Sequence, residues 1–505
     1  MNRLIIILVG IFTNMLSFGQ GRIIMACCPM AECVDAELRY HFPEYCASNP
    51  ILKADRPWEF NAMGDPYAAP FSGGVWYDEE VSKFKMWYSA GGGKRDGLVL
   101  CYAESDDGRN WNKPELDVVQ GTNIVDTTEH DCVSVLLDKH EKMADRRYKM
   151  FIVAFDSPSS VRMMLKYSTD GIHWSEPQAV SEHIYDRCAV YYDPFRCKYV
   201  LSLKTMHETY RRARCYLAHE NPETLVRLAR RVRNSQEDEH IRYWFNADDA
   251  DPHHPDFPEI RPQIYNHEAI AYERFLLGEF TIWQGPENDV CDSLKIQKRN
   301  EVLLGWSDNG FDWLRDCRRP FLTVGDNPDA WNAGNVQSTS GSPLIVGDSL
   351  YFYFSGRYNS KPEHDSNFAT GLATLRRDGF ASVCAGLGGG WMTTHPFVCD
   401  GEYLFVNIDS RDSVCAEILD ENNFPIAGFT KDDCIPTGAA NATRHRIMWK
   451  QADNLSSLVG SKISVRFYLK DAALYSFWFS PSVNGESRGY TAGGGPGLDK
   501  TGKDI

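Results

Sequence analysis

One phrase recurs along the chain. "DDGRNW" (Asp106 to Trp111) returns as "TDGIHW" (Thr169 to Trp174) and as "DNGFDW" (Asp308 to Trp313), each time just after an apolar, strand-like run. A phrase that repeats within a larger repeating pattern marks a supersecondary unit, and such units stack because none buries its apolar face alone. Asp-Gly or Asn-Gly supplies a tight turn with positive φ, and the aromatic that follows is suited to packing between neighbouring sheets. The phrase therefore reads as the hairpin joining the third and fourth strands of successive propeller blades, with its Asp-Gly residues structural rather than catalytic.

The rest of the pattern agrees. Helical periodicity is scarce, and short apolar or aromatic runs alternate with Gly, Asp, Asn and Pro turns. Five units share one grammar. The first holds "GGVWYDEE", "KFKMWYSAGG" and "LVLCYAESDDGRNW"; the second "VSVLLDKH", "YKMFIVAFD" and "MMLKYSTDGIHW"; the third "CAVYYDPFR", "KYVLSLKT" and "RARCYLAHE". The fourth holds "EAIAYER", "FLLGEFTIW" and "VLLGWSDNGFDW", and the fifth "SPLIVGD", "SLYFYFSGR" and "ATGLATLRRDGF". After Cys384 the runs alternate apolar and polar with period two, as in "LFVNID", "KISVRFYL" and "ALYSFWFS", the mark of half-buried sandwich strands. The expected fold is all-β: a five-bladed β-propeller over 63–382 followed by a C-terminal β-sandwich over 383–487. A lead segment covers 21–62, and the Gly-rich end, 488–505, reads as a mobile tail.

The N-terminus has a positive start at Arg3, an apolar stretch from Leu4 to Phe18, and small residues at Ser17 and Gly19. That is an export signal over 1–20. "IMAC", ending at Cys27, loosely resembles a lipoprotein box, with Arg22 interrupting the approach; a lipid anchor is the lesser expectation. No later run has the roughly 20 apolar residues of a membrane span. A secreted or periplasmic protein follows. The net charge of −16 disfavours a nucleic-acid partner, since phosphate binding needs surplus Lys and Arg. The basic run "RLARRVRN" reads as a solvated helix face. Of 15 cysteines, Cys27, Cys28, Cys33 and Cys46 crowd the mature N-terminus and are the disulfide candidates; Cys101, Cys132, Cys188 and Cys215 lie in strand-like runs as buried thiols. No CxxC pair has zinc spacing, so no structural zinc is expected.

In a propeller, groups just before each innermost strand converge on one pocket. Those positions hold His130 and Asp131 in the second unit, Asp186 and Arg187 in the third, and Asn266, His267 and Glu268 in the fourth. The fifth unit offers Trp331, Asn332, Asn335 and Gln337, and the first has no matching acid. Three like charges at one floor repel, which is poor for stability and good for cleaving a glycosidic bond. That reaction needs one carboxyl to protonate the leaving oxygen and one to activate water or attack the sugar. Glu268 is the expected general acid, Asp131 the general base or nucleophile, and Asp186 the acid that orients the sugar and tunes Glu268. His130, Arg187, His267, Trp331, Asn335 and Gln337 are the expected substrate-binding residues, with Trp331 stacking on a sugar face. Asp78, Asp138, Asp193 and Glu273 end the inner strands and read as turn residues. No cofactor is expected. The polar stretch Phe245 to Tyr265 carries Asp248, Asp249 and Asp251, which could chelate calcium.

The stretches "NPILKADRPWE", "FSGGVWYDEEVSKFKMWYSAG", "YAESDDGRNWNKP", "GNVQSTSG", "LYFYFSGR", "TGLATLRRDGFAS" and "LFVNID" onward resemble the five-bladed propeller glycosidases of glycoside hydrolase families 32, 43, 68 and 117. Within that grouping they are most similar to bacterial exported "glycosyl hydrolase family 32-like" proteins. The resemblance implies a propeller followed by a sandwich and a polysaccharide-derived glycan substrate. The chain departs from family 32 in three motifs. It lacks the Asn-Asp-Pro-Asn-Gly nucleophile motif, its Asp193-Pro194 falls at a strand end rather than in an Arg-Asp-Pro setting, and it has no Glu-Cys acid motif. What carries over is Asp, Asp and Glu on successive inner strands, one blade later than in those families, and not a fructosidase activity. Two competitors stand beside the hydrolase. One is a glycoside phosphorylase using Arg187, Arg211, Arg212 and Arg214 for phosphate. The other is a glycan-binding propeller without turnover.

Overall fold

The computed structural model of the chain describes residues 21–91, 97–157, 160–233, 237–325, 327, 330–357 and 367–505, and the leader expected over 1–20 lies outside them. The described residues are overwhelmingly strand, and their α-helices, Pro222–Leu228 and Asn288–Leu294, are short. No helix among them is long and apolar enough to cross a membrane.

The five sequence units are five antiparallel meanders. Their inner strands are Val75–Asp78, Ile124–Leu137, Ala189–Asp193, Gln263–Glu273 and Asn335–Val346. These neighbour one another in chain order, and the fifth returns to lie against the first. The second strands are Lys83–Ala90, Tyr148–Ser157, Lys198–His207, Phe275–Gln284 and Ser349–Arg357. Phe275–Gln284 is buried at every position, which explains why it reads as a continuous apolar run rather than an alternating one: both of its faces are covered. Ile124–Leu137 serves two units. Its first half pairs with Leu98–Ser105 as the outer edge of the first unit, and its second half is the inner strand of the second.

The repeated phrase builds one turn three times. Gly108, Gly171 and Gly310 have φ of 70°, 80° and 74°. Each glycine N–H donates to the serine three residues earlier, Ser105, Ser168 or Ser307, at 2.9 Å. Asp107, Asp170 and Asn309 each accept two backbone N–H groups from the residues beyond the glycine. The turns also tie neighbours together. Tyr353 of the fifth unit donates to Gly108 O at 2.7 Å, and Trp87 of the first donates to Gly171 O at 2.6 Å. A Cβ on Gly171 would sit 2.4 Å from the Trp87 ring, so this close approach requires glycine.

The lead segment is not separate. Glu44–Tyr45 pairs with Phe368–Arg376 as the outer strand of the fifth unit. Ile23–Ile24, Met30–Val34 and Glu37–Tyr40 join a nine-stranded C-terminal sheet built on two long strands, Tyr403–Leu419 and Lys462–Ser480. Strands this short carry too few residues for their periodicity to be read from sequence. The expectation of a mobile tail is also corrected. Tyr490–Thr491 pairs with Tyr272 and Glu273, Tyr77 N donates to Gly493 O, and Ile345 N donates to Gly494 O. The tail thus caps the ends of three inner strands, and its glycines permit that close backbone approach rather than motion.

Beneath the tail lies a buried ionic cluster. Arg22 pairs with Asp378 at 2.9 Å and its N–H donates to Glu273 at 3.1 Å; Arg377 pairs with Glu273 at 3.1 Å and Asp504 at 3.3 Å. Glu273 is therefore a hub of this cluster as well as a turn residue with φ of 53°. Asp78, Asp138 and Asp193 keep their turn roles, accepting from Glu80, His140 and Phe195 N–H groups. Two of them also reach the next unit, where Tyr148 donates to Asp78 and Tyr199 to Asp138.

All 15 cysteines are free thiols, so the expected N-terminal disulfides are absent. Cys33 Sγ donates to Ala36 O at 3.2 Å and Cys46 Sγ meets Ser48 Oγ at 3.2 Å, each within its own turn. Cys27 is buried, five residues after an Arg22 held in the ionic cluster. Of the acids considered for calcium, Asp251 pairs with Arg315 and Arg318, Asp248 with Arg318 and Asp249 with Arg261. Each of these carboxylates is thus paired with arginine.

Candidate active site

Three inner strands share an irregularity at their starts. Opposite the second strand, the register slips at Asp131, between the pairs His130–Ala154 and Cys132–Val153. It slips again at Tyr265, between Ile264–Ile282 and Asn266–Thr281, and at Ser338, between Gln337–Ser355 and Thr339–Phe354. Such bulges re-aim a side chain without breaking the sheet, and they gather beside functional sites. Ser338 has φ of 64°, and in the third unit Arg187, just before its inner strand, has φ of 51°. Both are uncommon conformations for residues with a Cβ.

Arg187 is the hub. Its backbone N–H donates to Asp131 Oδ2 at 3.0 Å and its Nη2 to Asp131 Oδ1 at 3.4 Å. The guanidinium lies 4.5 Å from the centre of the Phe71 ring and 5.7 Å from that of Tyr265. It is buried, yet its Nε and Nη1 have no hydrogen-bond partner among the described residues. Asp186 is half-exposed at the neighbouring position and pairs with Lys204. Burial acts to raise its carboxyl, but the Lys204 charge and hydrogen bond, with Arg187 and Arg212 behind them, hold it below the usual range. Arg214 is fully buried below and donates to Arg187 O at 2.7 Å and to Tyr265 O, locking both loops.

Glu268 sits deeper, 4% exposed. Its Oε1 accepts from Ser72 Oγ and, at 2.9 Å, from Asn266 Nδ2; its Oε2 accepts from Thr339 Oγ1 at 3.1 Å. Ser72 follows Phe71, so the residue under the Arg187 guanidinium is bonded in sequence to one that touches Glu268. Burial pushes the Glu268 carboxyl up to about 7, against the pull of Ser72, Thr339 and the charges of Arg214 and Arg187. A carboxyl poised there can hold a proton and release it near neutral pH. Directly opposite stands Glu279, also buried, touching the same Thr339 hydroxyl. Burial, then the nearby Glu268 charge, pushes it well above the carboxylate range.

The other expected residues divide. Asn335 and Gln337 are buried on the fifth inner strand, where Asn300 Nδ2 donates to Gln337 at 3.3 Å. His130 is buried with Nδ1 on Thr128 O and Nε2 on Ser89 Oγ, both at 3.0 Å, so it braces the bulge rather than facing a ligand. His267 is corrected outright. Strand alternation sends Asn266 and Glu268 to one face and His267 to the other. There it packs among Trp244, Phe245, Phe280 and Trp313, with burial holding it well below its ordinary range. Trp331 stacks on Phe354 at 5.7 Å between centroids, so its ring face is already used inside the protein. Sequence reasoning missed Ser72, Lys204, Tyr265, Thr339 and Glu279. Lys204 and Glu279 had a signal, each a lone charge inside an apolar second strand. Ser72 and Thr339 had none.

A cavity between the inner strands is lined by Glu268 together with Ser72, Val135, Ala189 and Ser340, and the tail residues Tyr490 and Ala492 line it as well.

No family model matches the chain, and no protein of curated function does either. Solved structures similar to it include a glycosyl hydrolase from Bacteroides ovatus, 12% identical over 67% of this chain and 94% of that one, with a TM-score of 0.41. Another is a beta-1,2-mannobiose phosphorylase from Listeria innocua, 12% identical over 66% and 96%, with a TM-score of 0.43. A third is a glycoside hydrolase family 43 arabinoxylan arabinofuranohydrolase from Bacillus subtilis, 9% identical over 86% and 97%, with a TM-score of 0.34.

Proposed function

We propose that the ring of meanders is a five-bladed propeller joined to a sandwich, and that the chain is an exported glycoside hydrolase. The observation that carries this reading is Glu268. It is a buried carboxyl poised near 7 under the charge of Arg187, which also holds Asp131 and acts on Asp186. In the proposed reaction Glu268 gives its proton to the glycosidic oxygen as the C–O bond breaks. Asp131, aligned by two donors from Arg187, takes a proton from water or attacks the sugar carbon itself. Asp186 orients the sugar hydroxyls. The reading includes attack at chain ends, supported by the tail residues Tyr490 and Ala492 in the wall of the cavity that Glu268 lines. The leader supports export.

The test is product formation from a panel of plant and algal oligosaccharides. Glu268→Gln is expected to lower turnover at least about a hundredfold with folding retained. An unchanged rate would remove Glu268 from the mechanism.

A phosphorylase is the second reading, favoured by one observation. The buried guanidinium of Arg187 keeps two nitrogens unpartnered among the described residues, and its charge joins those of Lys204 and Arg212 around Asp186, a setting suited to a phosphate. Turnover that requires inorganic phosphate and yields a sugar phosphate would select it over hydrolysis.

A further inference from the structure

A hydroxyl has one proton, and the Thr339 hydroxyl touches two carboxyls. Its Oγ1 is 3.1 Å from Glu268 Oε2 and in contact with Glu279 Oε2. It can donate to one of them only. The other contact is a hydrogen bond only when that carboxyl carries a proton and donates it to Oγ1. The pair therefore holds at least one proton, and the partners of each acid say where it rests. Glu268 accepts from Ser72, Asn266 and Thr339, enough donors to stabilise its anion. Glu279 is 2% exposed, and its second oxygen, Oε1, has no partner among the described residues. A buried carboxylate so poorly supplied with donors cannot stay ionised.

We propose that Glu279 keeps its proton at working pH and donates it to Thr339, which fixes the Thr339 hydroxyl as a donor to Glu268 Oε2. Glu279 is then a positioning residue, and this role rests on the reading of Glu268 as proton donor. The surroundings allow it. Arg214 and Arg187 act on Glu268, Glu268 acts on Glu279, and the fifth inner strand faces the pair with uncharged Ser338 and Thr339. Burial and the opposing carboxyl both favour the neutral form of Glu279.

An infrared pH titration tests this without substrate. Wild type is expected to keep a protonated-carboxyl band above pH 8 that survives in Glu268→Gln and vanishes in Glu279→Gln. Absence of that band in wild type, or its loss in Glu268→Gln, overturns the proposal whatever the protein's activity. Kinetics then read the positioning role. Glu279→Ala is expected to lower kcat at least tenfold with KM within twofold, and Thr339→Val to do the same. Glu279→Gln, whose amide still donates to Thr339, should recover most of kcat. Equal losses in Glu279→Gln and Glu279→Ala would contradict the role. A persistent band with no turnover of any glycan would instead sink the glycosidase reading and leave the proton assignment standing.

Discussion

Glu268 and Glu279 stand directly opposite one another on adjacent antiparallel strands, both out of solvent. Like charges so placed destabilise a sheet if both ionise. Stability has been conceded here to a site that holds protons, and the cost should be visible as a pH dependence.

The sign follows from Glu268, whose folded-state carboxyl is pushed up to about 7 from an ordinary value near 4.5. Between those limits the folded state binds more protons than the unfolded one, so stability falls as pH rises through that window. The slope for one such group is about 1.4 kcal/mol per pH unit. Glu268→Gln removes the Glu268 share of the dependence and leaves that of Glu279. Chemical denaturation of the two proteins at pH 5 and pH 7.5 should show the variant gaining on wild type at the higher pH. Parallel behaviour would mean that Glu268 titrates normally.

His267 makes the opposite point. Its ring lies among five aromatic side chains and both nitrogens lack partners among the described residues. His267→Phe should leave turnover within about twofold and raise stability by about 1 kcal/mol, because two buried polar atoms are removed without opening a cavity. A large loss of activity with an intact fold would return His267 to the site.

Asp504 ties the C-terminal tail to Arg377 and Arg22, and their charges outweigh burial to hold its carboxyl below the usual range. A depressed carboxyl contributes stability above its unfolded value, near 4, and loses it as pH falls further. Asp504→Asn should cost about 3 kcal/mol at pH 7, since it leaves buried arginine under-compensated. The difference from wild type should shrink below about pH 4. Calorimetry at both pH values checks this, and no difference at pH 7 would mean that the tail is not anchored by its ion pairs.

The meanders were legible because their grammar is local. Each turn is written in a few consecutive residues, Ser105 to Gly108 being one example, and three inner strands lead into an acid, Asp78, Asp138 or Asp193, that accepts from its own turn. Asp131, Asp186 and Glu268 were legible by position within that grammar. The rest depends on which residues meet across units. His267 and Glu268 are adjacent in sequence and face opposite ways, and only the bulge at Tyr265 sets which one turns inward. Ser72 reaches Glu268 from the first unit and Thr339 from the fifth, with no local signal in either. The two-residue strand Ile23–Ile24 and the closing strand Glu44–Tyr45 are too short to show a period. The tail's glycines read as looseness because sequence does not reveal what backbone lies against them.

Leaving-group dependence of Glu268→Gln tests the central claim most directly. A proton donor matters most when the departing oxygen is basic and least when it departs readily as a phenolate. On an oligosaccharide cut by wild type, the variant should lose at least about a hundredfold in kcat/KM. On an activated aryl glycoside of the same sugar the loss should be no more than a fewfold. Equal losses on both substrates, or none on either, would contradict the assignment of Glu268 as the group that protonates the leaving oxygen.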